Sequence, residues 1–203
     1  MVRENEENLA AADDKTLALA LKGGDERAFD ELVRRHQGRV YAVAYRLTGN
    51  REDALDVAQE ALIKLYRKIG SWQPTGGFLP WLLRLTANQA IDHLRRRRRY
   101  RQEPLDETFI PETEGAAVEP TAPGTATEVR GREIEARVRA ALDVLSPAQK
   151  MVFVLRHYEG LALSEIAEQL GCTVGSVKVH LFRSLKKLRQ ELRDLHDPES
   201  QIS

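Results

Sequence analysis

Residues Leu163–Leu188 read LSEIAEQLGCTVGSVKVHLFRSLKKL, and the spacing within them predicts two helices joined by a tight turn. Leu163, Ile166, Ala167 and Leu170 fall at i, i+3, i+4 and i+7, one apolar stripe on a short helix. Gly171 follows the stripe, where a helix end needs a residue tolerant of positive φ. Thr173 can cap a second helix, whose inward stripe is Val177, Leu181, Leu185 and Leu188. Ala167 is small where the two helices would cross. This is the helix-turn-helix pattern, whose second helix enters the DNA major groove. The DNA-facing candidates are Thr173, Ser176, Lys178, Val179, Phe182, Arg183, Lys186 and Lys187. Between Thr173 and Arg193 there are six Lys or Arg and one acid. The competing reading is an ordinary helical hairpin with a solvated basic face.

Working outward, the 203 residues suit one large or two small domains, with 42% apolar and 31% charged residues. The net charge is zero, but charge is segregated along the chain. Arg95–Arg101 holds six arginines in seven residues, whereas 102–128 holds seven acids and no Lys or Arg. Local patches of this kind steer a polyanion even when the whole chain is neutral. The single cysteine, Cys172, excludes an intramolecular disulfide and a cysteine-cluster metal site. No apolar run approaches the roughly eighteen residues of a membrane span, and the polar, acidic N-terminus is no signal peptide. The expectation is a cytoplasmic protein without cofactor, metal or membrane insertion. The histidines are scattered, and no phosphate loop or nucleophile motif appears, so no enzyme is expected.

Taken in order, 1–14 reads as a disordered tail and 15–101 as one helical domain. Within it, 15–22 is a short helix ended by Gly23-Gly24. Asp25 caps a helix carrying Phe29, Leu32, Val33, Val40, Val43, Ala44 and Leu47, with a bend expected near Gly38. Asn50 caps the next, with Ala54, Val57, Ala58, Ala61, Leu62, Leu65 and Ile69 inward. Ser71–Gly77, SWQPTGG, is a loop, and a helix from Phe78 to about Arg98 follows with Pro80 in its first turn. Residues 102–131 form a flexible acidic, Pro-rich linker. A second domain spans 132–196, with a helix at 132–145 and a capping box at Ser146-Pro147-Ala148-Gln149, and 197–203 is a tail. The fold class is all-α, two small helical domains.

Three further clusters have both a functional and a plain reading. Trp72, Phe78 and Trp81 surround a Gly-rich loop, and bases of an opened strand stack on such rings. The plain reading makes Phe78 and Trp81 core, leaving Trp72 as the better candidate for exposure. Arg95, Arg96, Arg98 and Arg99 read as phosphate contacts or as a helix end that complements the dipole. Asn88 and Asp92 lie one turn apart, facing DNA or, for Asp92, pairing with Arg95 or Arg96. Asp56, Gln59, Glu60 and Lys64 form a polar helix face, by itself only a solvated one.

The order of these parts resembles the extracytoplasmic-function, group-four sigma factors of bacterial RNA polymerase. Ala28-Phe29, Asp56-Val57-Ala58-Gln59-Glu60, Phe78, Trp81-Leu82, Asn88, Asp92 and the arginines look like sigma region two. Leu145-Ser146-Pro147, Glu159-Gly160-Leu161, Glu165-Ile166-Ala167, Leu170-Gly171 and Val174-Gly175-Ser176-Val177-Lys178 look like region four. The resemblance covers about 25–101 and 134–192. It implies that Asp56, Gln59, Glu60, Leu62 and Lys64 bind the β′ clamp of core polymerase, with the β flap as a further contact. It implies that Trp72, Phe78, Asn88, Asp92, Arg95, Arg96, Arg98 and Arg99 recognise and open the minus-ten element. The helix from Thr173 to Lys187 would read the minus-35 element, and the idle factor would be autoinhibited or held by an anti-sigma protein. The chain departs from the family at Ala162, where a Ser or Thr cap is usual, and at Leu62, where Phe is usual. Val179, His180 and Phe182 replace small polar or basic residues, which leaves the minus-35 sequence open, and Pro80 before Trp81 is unusual. The alternative is a self-contained helix-turn-helix repressor or activator, which binds its operator without polymerase.

Overall fold

The computed structural model describes residues 9–102 and 136–193, and all its regular structure is helical. The first unit is four helices: α1 (Asp14–Lys22), α2 (Glu26–Thr48), α3 (Arg51–Lys68) and α4 (Phe78–Gln102). Their starts follow local chemistry. Asp13 accepts from the Thr16 N–H at 2.7 Å, Asp25 from Arg27 at 3.1 Å and Asn50 from Asp53 at 3.0 Å. Each bond satisfies one of the free N–H groups of a first helical turn, worth about 1 kcal/mol. Helices α2, α3 and α4 pack on one another around Leu32, Val40, Val43, Leu47, Val57, Ala61, Leu65 and Leu82.

Two expectations about this unit change. The expected tail 1–14 is ordered from residue 9, with a helical turn at 9–11 and Leu9 packed on the core. The cause is Arg35, whose guanidinium donates to the carbonyls of Ala10 (2.8 Å) and Ala12 (2.7 Å) and reaches Asp14 (3.2 Å). Residues 1–8 lie outside the described residues. The bend expected near Gly38 does not interrupt α2, which runs unbroken as a helix from Glu26 to Thr48. Its buried stripe takes in His36, while Phe29 and Val33 are half-buried.

The second unit comprises α5 (residues 136–143), α6 (Pro147–Phe153), α7 (Leu163–Leu170) and α8 (Val174–Glu191). The box at Ser146 forms in both directions: Gln149 N–H donates to Ser146 Oγ at 3.4 Å, and Ser146 N–H to Gln149 Oε1 at 3.1 Å. Helix α6 widens into a π turn at Val154–Tyr158, and Gly160 (φ 71°) ends it. The linker expected at 102–131 lies outside the described residues, apart from Gln102, which ends α4.

The two units do not stand apart. Met151, Val152, Val154, Leu155, Leu161, Ile166, Ala167 and Val177 belong to the same buried apolar cluster as the first unit's core. A smaller cluster, Ala141, Leu142, Leu145 and Leu188, holds α5 to α8. The Glu159 side chain, 4% exposed, is clasped by Arg39 Nε at 3.1 Å and Arg46 Nη1 at 3.2 Å, both from α2. The Arg46 guanidinium also lies over the Tyr158 ring at 4.4 Å, and that of Arg139 over Tyr45 at 4.9 Å.

Candidate nucleic-acid and polymerase interfaces

The helix-turn-helix closes as its residues dictate. Gly171 takes φ 61°, a left-handed conformation that costs a residue with a Cβ, and its turn brings the Cys172 N–H to the Ala167 carbonyl at 3.0 Å. Thr173 Oγ1 accepts from the Ser176 N–H at 3.1 Å and starts α8. Ala162 gives α7 no side-chain cap, but Glu165 reaches back to accept the Ala162 N–H at 2.6 Å. Ile166, Ala167, Val177, Ser184 and Leu188 are buried, while Leu181 and Leu185 are only half-buried. Ser184 was not on the expected inward stripe. Its hydroxyl sits 2.7 Å from the His180 carbonyl and 3.1 Å from that of Gln149, which lets a polar residue enter the crossing.

Outward, α8 exposes Ser176, Lys178, Val179, Phe182, Arg183 and Lys186, with Thr173 exposed at its cap. Lys187 departs from the expected DNA face. It is half-buried, and its ammonium donates to the Val144 carbonyl at 3.1 Å just beyond the end of α5.

On α4, Asn88, Asp92, Arg95, Arg96 and Arg99 are exposed and follow i, i+4, i+7, i+8 and i+11, so they share one face. Asp92 sits 3.9 Å from Arg95, with both side chains more than half exposed, a pairing worth little in water. Arg97 is drawn off this face to Asp53, which also lies 2.8 Å from His93 Nε2. The side chain of Arg98 lies outside the described ones.

The aromatic cluster overturns one expectation. Trp72 is 2% exposed and cannot present its ring to a base. The 3-10 turn at Ile69–Ser71 swings it inward, edge-on to Phe78 at 6.0 Å, and Lys22 Nζ holds its carbonyl at 3.1 Å. Phe78 and Trp81 are buried as well, as the plain reading has them, and Trp72 joins them in the core. The exposed part of the loop is Ser71, Gln73, Thr75 and Gly77. A Cβ on Gly77 would meet Pro80 Cδ at 3.0 Å, so the unusual Pro80 is tolerated because Gly77 precedes it. Loop composition alone gave no signal for the inward turn of Trp72.

On α3, Asp56, Gln59 and Glu60 are exposed together. Leu62 is half-buried against the core, and Lys64 turns toward α4, where it bonds Gln89 Oε1. Gln89, itself 1% exposed, donates to Glu60 Oε2 at 2.8 Å. Glu60 therefore has a partner that sequence reasoning missed. Also missed are Leu55, 51% exposed, and Ile63, 42% exposed, on the same outward side as Gln59. Their signal was there: both fall off the inward stripe at i and i+8.

Between the units lies a cavity of about 490 Å³. Lys64, Lys68, Asn88, Asp92 and Arg95 line one side, and Met151, Leu170, Cys172 and His180 the other. Gly76 approaches α7 so closely that a Cβ there would meet Glu168 Oε1 at 3.1 Å. Among the described residues no group of His, Cys, Asp and Glu can hold a metal ion. No described helix is long and apolar enough to cross a membrane.

Known families match both units. The model for Sigma-70 region 2 matches residues 32–100, and that for Sigma-70, region 4 matches 135–188, which together define an initiation factor of the sigma-70 class. The chain is 40% identical over 174 residues to the ECF RNA polymerase sigma factor SigE of Mycolicibacterium smegmatis. That match takes in 84% of this chain and 63% of that protein, so the chain spans a little under two-thirds of that relative's length. It is 32% identical to the RNA polymerase sigma-H factor of Pseudomonas aeruginosa, over 92% of this chain and 97% of that protein. It is also 32% identical to the ECF RNA polymerase sigma factor SigW of Bacillus subtilis, over 86% and 94%. Among solved structures, CnrH in complex with the cytosolic domain of CnrY superposes with a TM-score of 0.63 at 27% identity, over 91% of this chain and 99% of that one. The chain belongs to the extracytoplasmic-function sigma factors.

Proposed function

We propose that this alternative sigma factor divides promoter-specific initiation among three exposed surfaces. Asp56, Gln59 and Glu60 on α3, with Leu55 and Ile63 beside them, dock on the β′ clamp of core polymerase. Leu62 and Lys64 hold that helix in place from within. The α4 face of Asn88, Asp92, Arg95, Arg96 and Arg99 engages the minus-ten element, and Arg98 is assigned to the same element. Helix α8 reads the minus-35 element, and the second unit meets the β flap. The factor does no chemistry of its own, works in the cytoplasm, and is held idle by an anti-sigma protein; the similar CnrH is likewise found in complex with another protein, the cytosolic domain of CnrY.

The observation that carries this reading is the exposed α4 face, because a self-contained repressor has no use for a second cationic surface outside its recognition helix. Transcription reconstituted from core polymerase, this chain and a randomised promoter library tests it. The expected result is one enriched two-part promoter that depends on the chain. Asp56→Lys and Glu60→Lys should each weaken association with core by about tenfold, the scale of one lost charge contact. Unchanged affinity in both would sink the docking assignment. Tight, sequence-selective binding without polymerase would favour the repressor reading instead.

A further inference from the structure

We propose that Val179 and Phe182 select thymine in the minus-35 element by packing against its C5 methyl group. This rests on α8 being the recognition helix and adds which base its centre prefers. Successive residues of a helix turn by about 100°, so Gly175, Val179, Phe182 and Lys186, spaced four, three and four apart, form one line. That line runs opposite the buried Val177, Ser184 and Leu188 and so marks the middle of the outward face. Val179 is 47% exposed and Phe182 70% exposed. A phenylalanine so open contributes little to the core, and no ring or cation contact with it is present among the described residues.

The surroundings point to DNA rather than protein. Lys178 lies on one side of the line and Ser176 and Arg183 on the other, with Lys186 at its end. From Val174 to Gln190 there is no acidic residue. A phosphate backbone complements that rim on both sides. The groove floor, however, faces Gly175, Val179 and Phe182, which have no side-chain hydrogen-bonding group. Bases beneath them can be told apart only by apolar contact, and the apolar group of the major groove is the thymine methyl. Arg183 and Ser176, off the midline, remain free to bond neighbouring base edges.

The test uses holoenzyme and the promoters it selects from a library randomised through the minus-35 element. Each thymine there is replaced in turn by deoxyuridine, which deletes the methyl and keeps every hydrogen-bonding group. Competition binding should show a loss of about fourfold at one or two adjacent thymines, the worth of one methyl withdrawn from water. The loss should vanish in Phe182→Ala or Val179→Ala, whose melting temperatures should match wild type because both side chains are exposed. Deoxyuridine without effect at every thymine, or a penalty that persists in both variants, overturns the proposal. So does a Phe182→Ala phenotype confined to binding of a protein regulator. The doubly substituted Arg183→Ala, Lys186→Ala chain separates the underlying reading. If it binds promoters as wild type does, α8 is not the reader at all. If it binds weakly while deoxyuridine is silent, only the methyl contact fails.

Discussion

The clasp at Glu159 predicts an asymmetry between its two sides. The carboxylate is 4% exposed, whereas Arg39 and Arg46 are 46% and 32% exposed. Removing the acid leaves two arginines that water already reaches. Glu159→Gln keeps a carbonyl oxygen to accept from one arginine, so its cost is that of a weakened hydrogen bond, about 1 kcal/mol. Removing both arginines instead strands a buried charge, a change that costs about 3–5 kcal/mol when nothing can move. Here something can move, since the carboxylate regains water if the two units part. The Arg39→Met, Arg46→Met chain should therefore lose several-fold more stability in urea than Glu159→Gln, and its radius of gyration by small-angle scattering should rise. The triple variant carrying Glu159→Gln as well should recover most of the compactness, because the stranded charge is gone. If Glu159→Gln proves the more damaging change, or if the double variant scatters as wild type does, the account of the clasp is wrong.

Arg183→Ala should reduce transcription most on promoters with an intact minus-35 element, by about tenfold if it reads a guanine edge; uniform loss across promoter variants would mark a phosphate contact instead. Trp72→Ala should cost about 3–5 kcal/mol of stability as a buried aromatic removed from the core, with Trp72→Phe closer to wild type; an unchanged melting temperature would refute its structural role. Burial pushes the His36 imidazole below its ordinary value, against an opposing pull from Asp14 2.8 Å away. A depressed pKa gives stability that is complete above about pH 6.5 and lost as pH falls from there through the folded value. Wild type should thus lose melting temperature between pH 7.5 and 5 more steeply than His36→Gln. The Glu31 carboxyl, held down to about 2 by Arg34 and Arg35 hydrogen bonds, adds its own loss in a separate window, as pH falls below about 4.5.

The helices, their caps and the helix-turn-helix were legible because each is written locally. Asp25, Asn50, Ser146 and Thr173 all cap where a polar residue precedes an apolar stripe. The exposed residues of α4 and α8 were legible for the same reason, as they are what the stripes leave outside. What failed depended on distant partners. Trp72 reads as a loop tip, and only Phe78 and Lys22 decide that it turns in. Residues 9–14 read as a polar tail until Arg35, more than twenty positions on, collects their carbonyls. Lys187 belongs by spacing to the DNA face, but a bare carbonyl at Val144 claims it. Nothing in the spacing places Glu159 between two arginines of α2.

The cavity that puts Asn88, Asp92 and Arg95 opposite Met151, Leu170 and His180 has a thermodynamic consequence. A ligand that needs the α4 face clear binds only the fraction of molecules whose units have separated. Its apparent dissociation constant is the intrinsic one divided by that fraction, so each 1.4 kcal/mol or so of closure weakens binding about tenfold. Substitutions buried in the contact between the units, touching neither polymerase nor DNA, will then score as affinity mutants. Their effect will have one size for every ligand that requires separation. Such a uniform factor is a signature that no change in a direct contact can imitate.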